Sequence, residues 1–349
     1  MPSLTLPQVP HYQPALPTHE DLPYADLAVI DLSKAHTLEG RTELAAELKN
    51  ALLTHGFFYV VNHGFSHKQT ERMFDIADVP IACVSDEEKL ALEGNPRDTG
   101  VYSGYKLRQY WHLDAGVRDQ QEHYNITRHV NDSRQPEVLV PYLPEVQALI
   151  EHMHFSILHP TLRIMALSLE LPEETLVKLH DYDGPNGTWL RFQKYFPRTE
   201  DDEVKTKNVW MKGHTDIGTL SFLWSQPVAA LQILTADEWH WVRYIENALI
   251  VNTGDALEFL TGGLYKATIH RVVQPPIDQR GYTRLGINYF CYANRDVKLA
   301  PLMESPVLRR TMLQLKCDPS VAPTMREWAV GRIMTYGGTK TELRQGKDE

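Results

Sequence analysis

Gly213-His214-Thr215-Asp216-Ile217-Gly218-Thr219-Leu220 stands directly before a short apolar stretch at 220–224, and the reading of the whole chain turns on it. In extended backbone, side chains two residues apart point the same way, so the imidazole of His214 and the carboxylate of Asp216 can face one metal ion. A third ligand has to come from elsewhere. His270 opens a later apolar stretch, His270-Arg271-Val272-Val273, which a neighbouring strand could carry to the first two. Two histidines and one carboxylate on one face of a metal leave positions open, an arrangement suited to non-haem Fe(II) and O2. Structural zinc favours a closed shell with cysteine, and Cys83, Cys291 and Cys317 are remote from these residues in sequence. A zinc hydrolase would need a glutamate base beside a His-x-x-x-His pair, which this arrangement does not offer.

Outward from this stretch the texture is that of short strands with turns between them, at 189–195, 220–224, 231–234, 239–244, 248–252, 270–273 and 284–292. Such spacing predicts an antiparallel barrel or sandwich. Toward the N-terminus, 28–32 reads as a strand. Leu44, Leu48, Ala51 and Leu52 recur at helical spacing within 38–54, Gly56 ends that helix, and 57–62 is a buried strand. Residues 65–135 read as mixed and polar, with a helix starting at Asp86 behind a Ser85 cap. A helical segment from Pro144 to about residue 171 is expected to break at Pro160, whose ring clashes with the preceding turn. Pro2, Pro7, Pro10, Pro14, Pro17 and Pro23 make the first segment an extended arm. A helix is expected over 324–332, followed by a charged tail.

The chain has 349 residues, 42% hydrophobic and 23% charged, enough to bury a core. Its 35 Lys and Arg stand against 45 Asp and Glu, and this acidic balance opposes binding to nucleic acid or anionic membrane surfaces. Three cysteines cannot make a disulfide framework. With no basic leader and no apolar run near the roughly 18 residues that span a bilayer, a cytoplasmic protein is expected. Its oligomeric state is left open.

Gly213 to Leu220, then Leu231-Gln232, Asn252-Thr253-Gly254-Asp255-Ala256-Leu257, His270-Arg271-Val272 and Arg284-Leu285-Gly286-Ile287 follow one another in an order that resembles the Fe(II)/2-oxoglutarate-dependent dioxygenases of the isopenicillin N synthase-like family. His55-Gly56-Phe57-Phe58-Tyr59-Val60-Val61-Asn62-His63-Gly64 is similar to that family's N-terminal segment. The resemblance runs over roughly residues 26 to 315. It implies a mainly β fold with flanking α-helices, a double-stranded β-helix or jelly roll. The expected organisation is an extended arm at 1–25, a mixed α/β region with a helical scaffold at 26–185, the jelly-roll core at 186–315 and a C-terminal helix and tail at 316–349, all one catalytic unit.

The resemblance implies His214, Asp216 and His270 as iron ligands and Arg284 as the anchor of the cosubstrate's far carboxylate, which a planar guanidinium can hold in bidentate fashion. Arg280, in the polar turn before it, reads as an ordinary surface arginine. Gly286 departs from the family's Arg-x-Ser pattern and removes one hydroxyl donor. Leu190 to Pro197 is similar to a family strand ending in Tyr-Pro-Pro, which implies that Tyr195 reaches the cosubstrate, although Phe196 replaces the first proline. If Tyr195 faces inward, Gln193 and Arg191 do too. A buried Arg191 with no evident acid partner then asks for an anionic or carbonyl-rich substrate. Tyr102, Tyr105, Tyr110, Trp111 and Tyr124, with Phe222 and Phe290, supply rings for such a pocket. Of these, Tyr105, Tyr124, Phe222 and Phe290 are taken with Arg191 and Gln193 as substrate-binding candidates.

The implied function is a non-haem Fe(II)- and 2-oxoglutarate-dependent oxygenase that uses O2 and, in an assay, ascorbate as reductant. It would take a hydrogen from a small planar, oxygenated or aromatic substrate, giving hydroxylation or a rearrangement such as ring expansion, in fungal-type secondary metabolism. The resemblance extends to fungal-type oxygenases that act on nucleobases and small aromatic polyketides. Two alternatives stay open: an iron oxidase of the same family that does not use 2-oxoglutarate, and a catalytically weak binding or sensing module.

Overall fold

The structure is a computed structural model that describes residues 6–96 and 102–335. Twelve strands among these residues build two sheets. In chain order they are β1 (Val29–Asp31), β2 (Phe57–Val61), β3 (Gly104–Lys106), β4 (Gln121–Thr127), β5 (Trp189–Tyr195), β6 (Val209–His214), β7 (Leu220–Trp224), β8 (Leu231–Thr235), β9 (Glu238–Trp241), β10 (Leu249–Thr253), β11 (His270–Val273) and β12 (Arg284–Cys291). The larger sheet runs β1-β2-β10-β7-β12-β5-β4-β3 and the smaller β6-β11-β8-β9. All pairings within the sheets are antiparallel except β1 with β2. This is the double-stranded β-helix with flanking helices that the resemblance implies.

The period of two along each strand divides the larger sheet into two faces. Leu190 and Phe192, Leu220 and Phe222, Leu249 and Val251, and Leu285, Ile287 and Tyr289 join the main core with the helices Leu38–Thr54, Leu143–Glu151 and His159–Ser168. The residues between them, including Arg191, Gln193, Ser221, Asn252, Arg284 and Asn288, face a cavity between the sheets. The fold therefore keeps an apolar face for the helices and a polar one for the interior.

The helix Leu38–Thr54 buries Leu44, Leu48, Ala51 and Leu52, and Gly56 beyond it takes φ +65°, a conformation glycine adopts without a Cβ penalty. Several elements are not readable as such from the sequence, three of them for a clear physical reason. The helix His67–Ala82 starts with a Ser66–Gln69 capping box and buries Thr70, Met73, Ile76 and Ala77, but its polar face hides the stripe. Strand β4 reads as polar because Gln121, His123 and Asn125 face inward while Tyr124 and Ile126 meet the helices. Strand β6 is largely uncovered and so carries no apolar alternation.

Pro160 does not interrupt the helical segment. It follows a π-helical stretch, His152–Leu158, in which the His159 N–H donates to the His154 carbonyl five residues back. The widened turn absorbs the missing donor and the ring clash.

The proline-rich arm is extended and pinned: Arg72 donates to the Pro7 carbonyl at 2.9 Å, Tyr12 N to Asp75 at 2.8 Å and His19 N to Asp278 at 2.8 Å. The C-terminal helix is Met325–Thr335, and the expected charged tail lies outside the described residues. No helix among the described residues is long and apolar enough to cross a membrane.

Candidate active site

Strands β6 and β11 pair so that His214 stands opposite His270, with ring centroids 4.3 Å apart. Asp216 sits two residues past the end of β6. One ligand atom from each of the three lies within 4.8 Å of the others, and Asp216 Oδ1 is 3.9 Å from Nε2 of both histidines. The Lys212 carbonyl meets His214 Nδ1 at 2.9 Å and the Thr268 carbonyl meets His270 Nδ1 at 3.1 Å. Both rings are thereby turned with Nε2 toward the carboxylate. Asn252 Nδ2 donates to Asp216 Oδ2 at 2.8 Å and keeps Oδ1 facing the histidines.

Burial, then the neighbouring His270, pushes the His214 pKa down to about 4. Burial pushes Asp216 up, but the two histidines, Asn252 and Ser221 outweigh it and hold the carboxyl below its usual range. A neutral imidazole and an ionised carboxylate are the forms that bind a divalent cation. Two nitrogens and one oxygen gathered on one side of a point fit a ferrous ion with open positions.

At one end of the cavity lies Arg284, 3% exposed. Its Nε donates to the Val228 carbonyl at 3.3 Å and its guanidinium lies 5.9 Å from the Tyr195 ring. Gln121 Nε2 donates to the Tyr195 hydroxyl at 3.1 Å and to Gln193 Oε1 at 2.9 Å. Arg191 lines the same cavity. Its Nε donates to Asn125 Oδ1 at 2.7 Å, and its guanidinium lies among the rings of Phe290, Tyr102 and Trp189 at 4.9, 5.6 and 5.8 Å. Burial pulls both guanidiniums below their usual range, and among the described residues neither has a carboxylate at ion-pair distance. Asp216 is the one carboxylate among the described residues that line the cavity.

Three of the expected substrate residues lie elsewhere. Phe222 is out of phase with Ser221 and Leu223 and packs under the helices. Tyr105 and Tyr124 meet as tilted rings, centroids 4.5 Å apart, in the same core, their hydroxyls donating to the Pro80 carbonyl at 2.8 Å and to Gln135 at 2.6 Å. Ring count nominates all three, and strand phase removes them. Tyr102, Trp111, Gln193 and Phe290 do line the cavity. Asn252, Asn288 and Arg332 line it as well without standing out in the sequence. Phase along β10 and β12 is the signal that could have found Asn252 and Asn288, whereas nothing near Arg332 in sequence points to the cavity.

Arg332 comes from the C-terminal helix. Its Nη1 donates to Asp255 Oδ2 at 2.8 Å and its Nη2 to the Thr215 carbonyl at 3.2 Å. The helix thus closes over the backbone between two of the three candidate ligands.

Residues 27–143 match the family described as non-haem dioxygenase in morphine synthesis N-terminal, and residues 189–293 match the 2OG-Fe(II) oxygenase superfamily. Jasmonate-induced oxygenase 4 of Arabidopsis thaliana is 26% identical over 311 residues, covering 87% of this chain and 82% of that protein. The 2-oxoglutarate-Fe(II) type oxidoreductase hxnY of Emericella nidulans is 24% identical over 291 residues, covering 77% and 80%. Among solved structures, a full-length Neurospora crassa protein in complex with alpha-KG and thymine superposes with a TM-score of 0.76 at 20% identity, covering 90% of this chain and 99% of that one.

Proposed function

The chain belongs to the 2OG-Fe(II) oxygenase superfamily, and from that premise we propose which of its residues serve the reaction and what substrate it takes. The enzyme is a dioxygenase that uses Fe(II), 2-oxoglutarate and O2. His214, Asp216 and His270 hold the iron. Iron held there would supply the chemistry by which O2 is consumed, 2-oxoglutarate is oxidatively decarboxylated to succinate and CO2, and the substrate is oxidised.

The chain's part is placement. Lys212 and Thr268 orient the histidines through their carbonyls, and Asn252 orients Asp216. Arg284 pairs with the far carboxylate of 2-oxoglutarate, with Tyr195 beside it. Tyr102, Trp189 and Phe290 form an apolar frame that excludes water around Arg191, where a planar substrate can stack and present an oxygen to the guanidinium.

The observation that carries this reading is the pair of buried arginines flanking the histidine–aspartate cluster, neither matched by a carboxylate among the described residues. Ferrous iron and Arg284 together balance Asp216 and the dianionic cosubstrate, and Arg332 is already paired with Asp255, so among the described residues that line the cavity Arg191 is the positive charge left over. A buried charge without a partner is costly, and a substrate carrying an anionic or strongly polarised carbonyl or phenolate oxygen supplies that partner. The substrate class is therefore small, planar and oxygenated. Thymine, the compound in the Neurospora crassa structure of similar fold, is a molecule of that kind. Hydroxylation at an activated carbon is the proposed outcome, with ring expansion as the other fate of the same substrate, in fungal-type secondary metabolism.

The test uses purified protein with Fe(II), ascorbate and 2-oxoglutarate, and follows O2 uptake and succinate release across nucleobases, small phenols and non-planar carboxylic acids. Stimulation by planar oxygenated compounds supports the reading. Stimulation only by the non-planar acids overturns the substrate class.

A further inference from the structure

We propose that the side-chain amide of Gln226 is the second donor to the far carboxylate of 2-oxoglutarate, filling the place that a side chain at position 286 would otherwise take. This rests on Arg284 as the anchor of that carboxylate, as proposed above.

Strand β12 turns Arg284, Gly286 and Asn288 to one face, and Arg284 and Asn288 line the cavity. Gly286 offers nothing to it. A Cβ at this position would stand 3.0 Å from Gln226 Nε2, 3.4 Å from Gln193 Cγ and 3.5 Å from Gln193 Nε2. The space is thus already bordered by two amides, one from the segment after β7 and one from β5.

Gln226 is 7% exposed, and its Nε2 is buried without a hydrogen-bond partner among the described residues. Such a group normally finds an acceptor, and one left alone in a native interior calls for an explanation. Its neighbour Gln193 turns its own Nε2 toward the same point, while its Oε1 accepts from Gln121. Two amide nitrogens therefore border the place of a side chain at position 286, on the same face of β12 as Arg284. A carboxylate is acceptor-only, with room for several donors.

The segment that carries Gln226 is fixed against the anchor. Val228, two residues on, accepts from Arg284 Nε at 3.3 Å. Gln279 clamps the segment from behind, accepting from Ala229 N at 2.8 Å and donating to the Pro227 carbonyl at 2.8 Å. Guanidinium and amide are thereby held in one register before any ligand arrives, which lowers the ordering cost of binding.

The experiment is anaerobic calorimetric titration of the Fe(II) protein with 2-oxoglutarate and with 2-oxobutyrate, which keeps the keto acid but lacks the far carboxylate. Gln226→Leu is expected to weaken 2-oxoglutarate about tenfold, the effect of losing one hydrogen bond to a charged acceptor, and to leave 2-oxobutyrate unchanged. Gln226→Ala gives the same contrast should the leucine variant fail to fold. Adding Gly286→Ser to Gln226→Ala, where the amide no longer crowds the new side chain, is expected to restore most of the lost affinity. Equal weakening of both ligands, or 2-oxoglutarate affinity within about twofold of wild type, overturns the assignment. Arg284→Leu separates the two levels. If it weakens 2-oxoglutarate and Gln226→Leu does not, only the role of Gln226 falls; if Arg284→Leu has no effect, the anchor itself is misassigned.

Discussion

Arg332 and Asp255 meet across 77 residues of sequence, and the guanidinium that holds the carboxylate at 2.8 Å also reaches the Thr215 carbonyl. Asp255 is fully buried and takes two further donors, Lys316 Nζ at 3.2 Å and Trp328 Nε1 at 3.2 Å. Its own N–H donates to the Asp216 carbonyl at 2.7 Å. One carboxylate thus ties the C-terminal helix to the backbone that carries the candidate metal ligands.

Arg332→Ala is expected to free the C-terminal helix while leaving the barrel folded. Limited proteolysis should cut within 325–335 faster than in wild type, and iron affinity should fall because the Thr215 carbonyl loses its partner. Asp255→Ala removes the fully buried carboxylate shared by three partly buried donors and should cost roughly 3–5 kcal/mol in a denaturant titration. An unchanged cleavage pattern in Arg332→Ala would remove the tie.

His214→Ala, Asp216→Ala and His270→Ala are each expected to lose stoichiometric iron and all turnover, with melting temperatures of the metal-free proteins near that of metal-free wild type. Iron content by elemental analysis and a thermal melt decide it. Full activity in any one variant contradicts the assignment.

Arg284→Ala is expected to raise the 2-oxoglutarate requirement far more than the substrate requirement. Removal of one member of a buried charged pair costs roughly 3–5 kcal/mol. Saturation curves for the two ligands measure the difference.

Arg191→Ala is expected to collapse substrate oxidation while uncoupled 2-oxoglutarate decarboxylation survives, because Arg191 sits among Tyr102, Trp189 and Phe290 and apart from the Arg284 end. The ratio of product to succinate reads this out. Equal loss of both activities would take Arg191 out of the substrate subsite.

Acid should destabilise the fold before it protonates surface carboxylates. Burial and the neighbouring His159 push the His154 pKa down to about 3, and burial pushes His180 down to about 4. His154 Nδ1 lies 2.9 Å from the Tyr289 hydroxyl and His180 Nε2 lies 2.8 Å from Thr219 Oγ1. In the unfolded chain both titrate near the ordinary value of about 6.5. Below that value the unfolded state binds more protons, so stability is full above it and falls as pH drops toward 3–4. Melting temperature should decline from pH 7 to 5, and His154→Gln should flatten the slope. A melting temperature that rises on acidification would refute this.

Much of this architecture can be read from the residues alone, for reasons that also explain the failures. The helix Leu38–Thr54 has the expected bounds because its buried residues follow one clean helical period, and strand β5 has them because it is buried on both faces along nearly its whole length. The period of two along that strand puts Arg191, Gln193 and Tyr195 on one face, and the structure has them on the cavity. Strand β4 escapes because its polar side faces inward, the reverse of the usual pattern. Tyr105, Tyr124 and Phe222 qualify only by being aromatic, a property that says nothing about which face of a sheet they occupy. Gln226 and Arg332 reach their places through a loop and a terminal helix, where no strand period operates.

The strand order carries a consequence for how the protein is made. β2 ends at residue 61, yet among the described residues its only antiparallel partner is β10 at Leu249–Thr253, and β5 and β7 are bridged by β12 at Arg284–Cys291. During synthesis the first half of the chain therefore waits with unpaired strand edges, and the sheet behind the iron site closes only after residue 291 has emerged from the ribosome. Non-local pairing of this kind slows folding and leaves strand edges open. The three candidate ligands are all present only once His270 has emerged, so a metal that needs all three can be held only by a nearly finished chain.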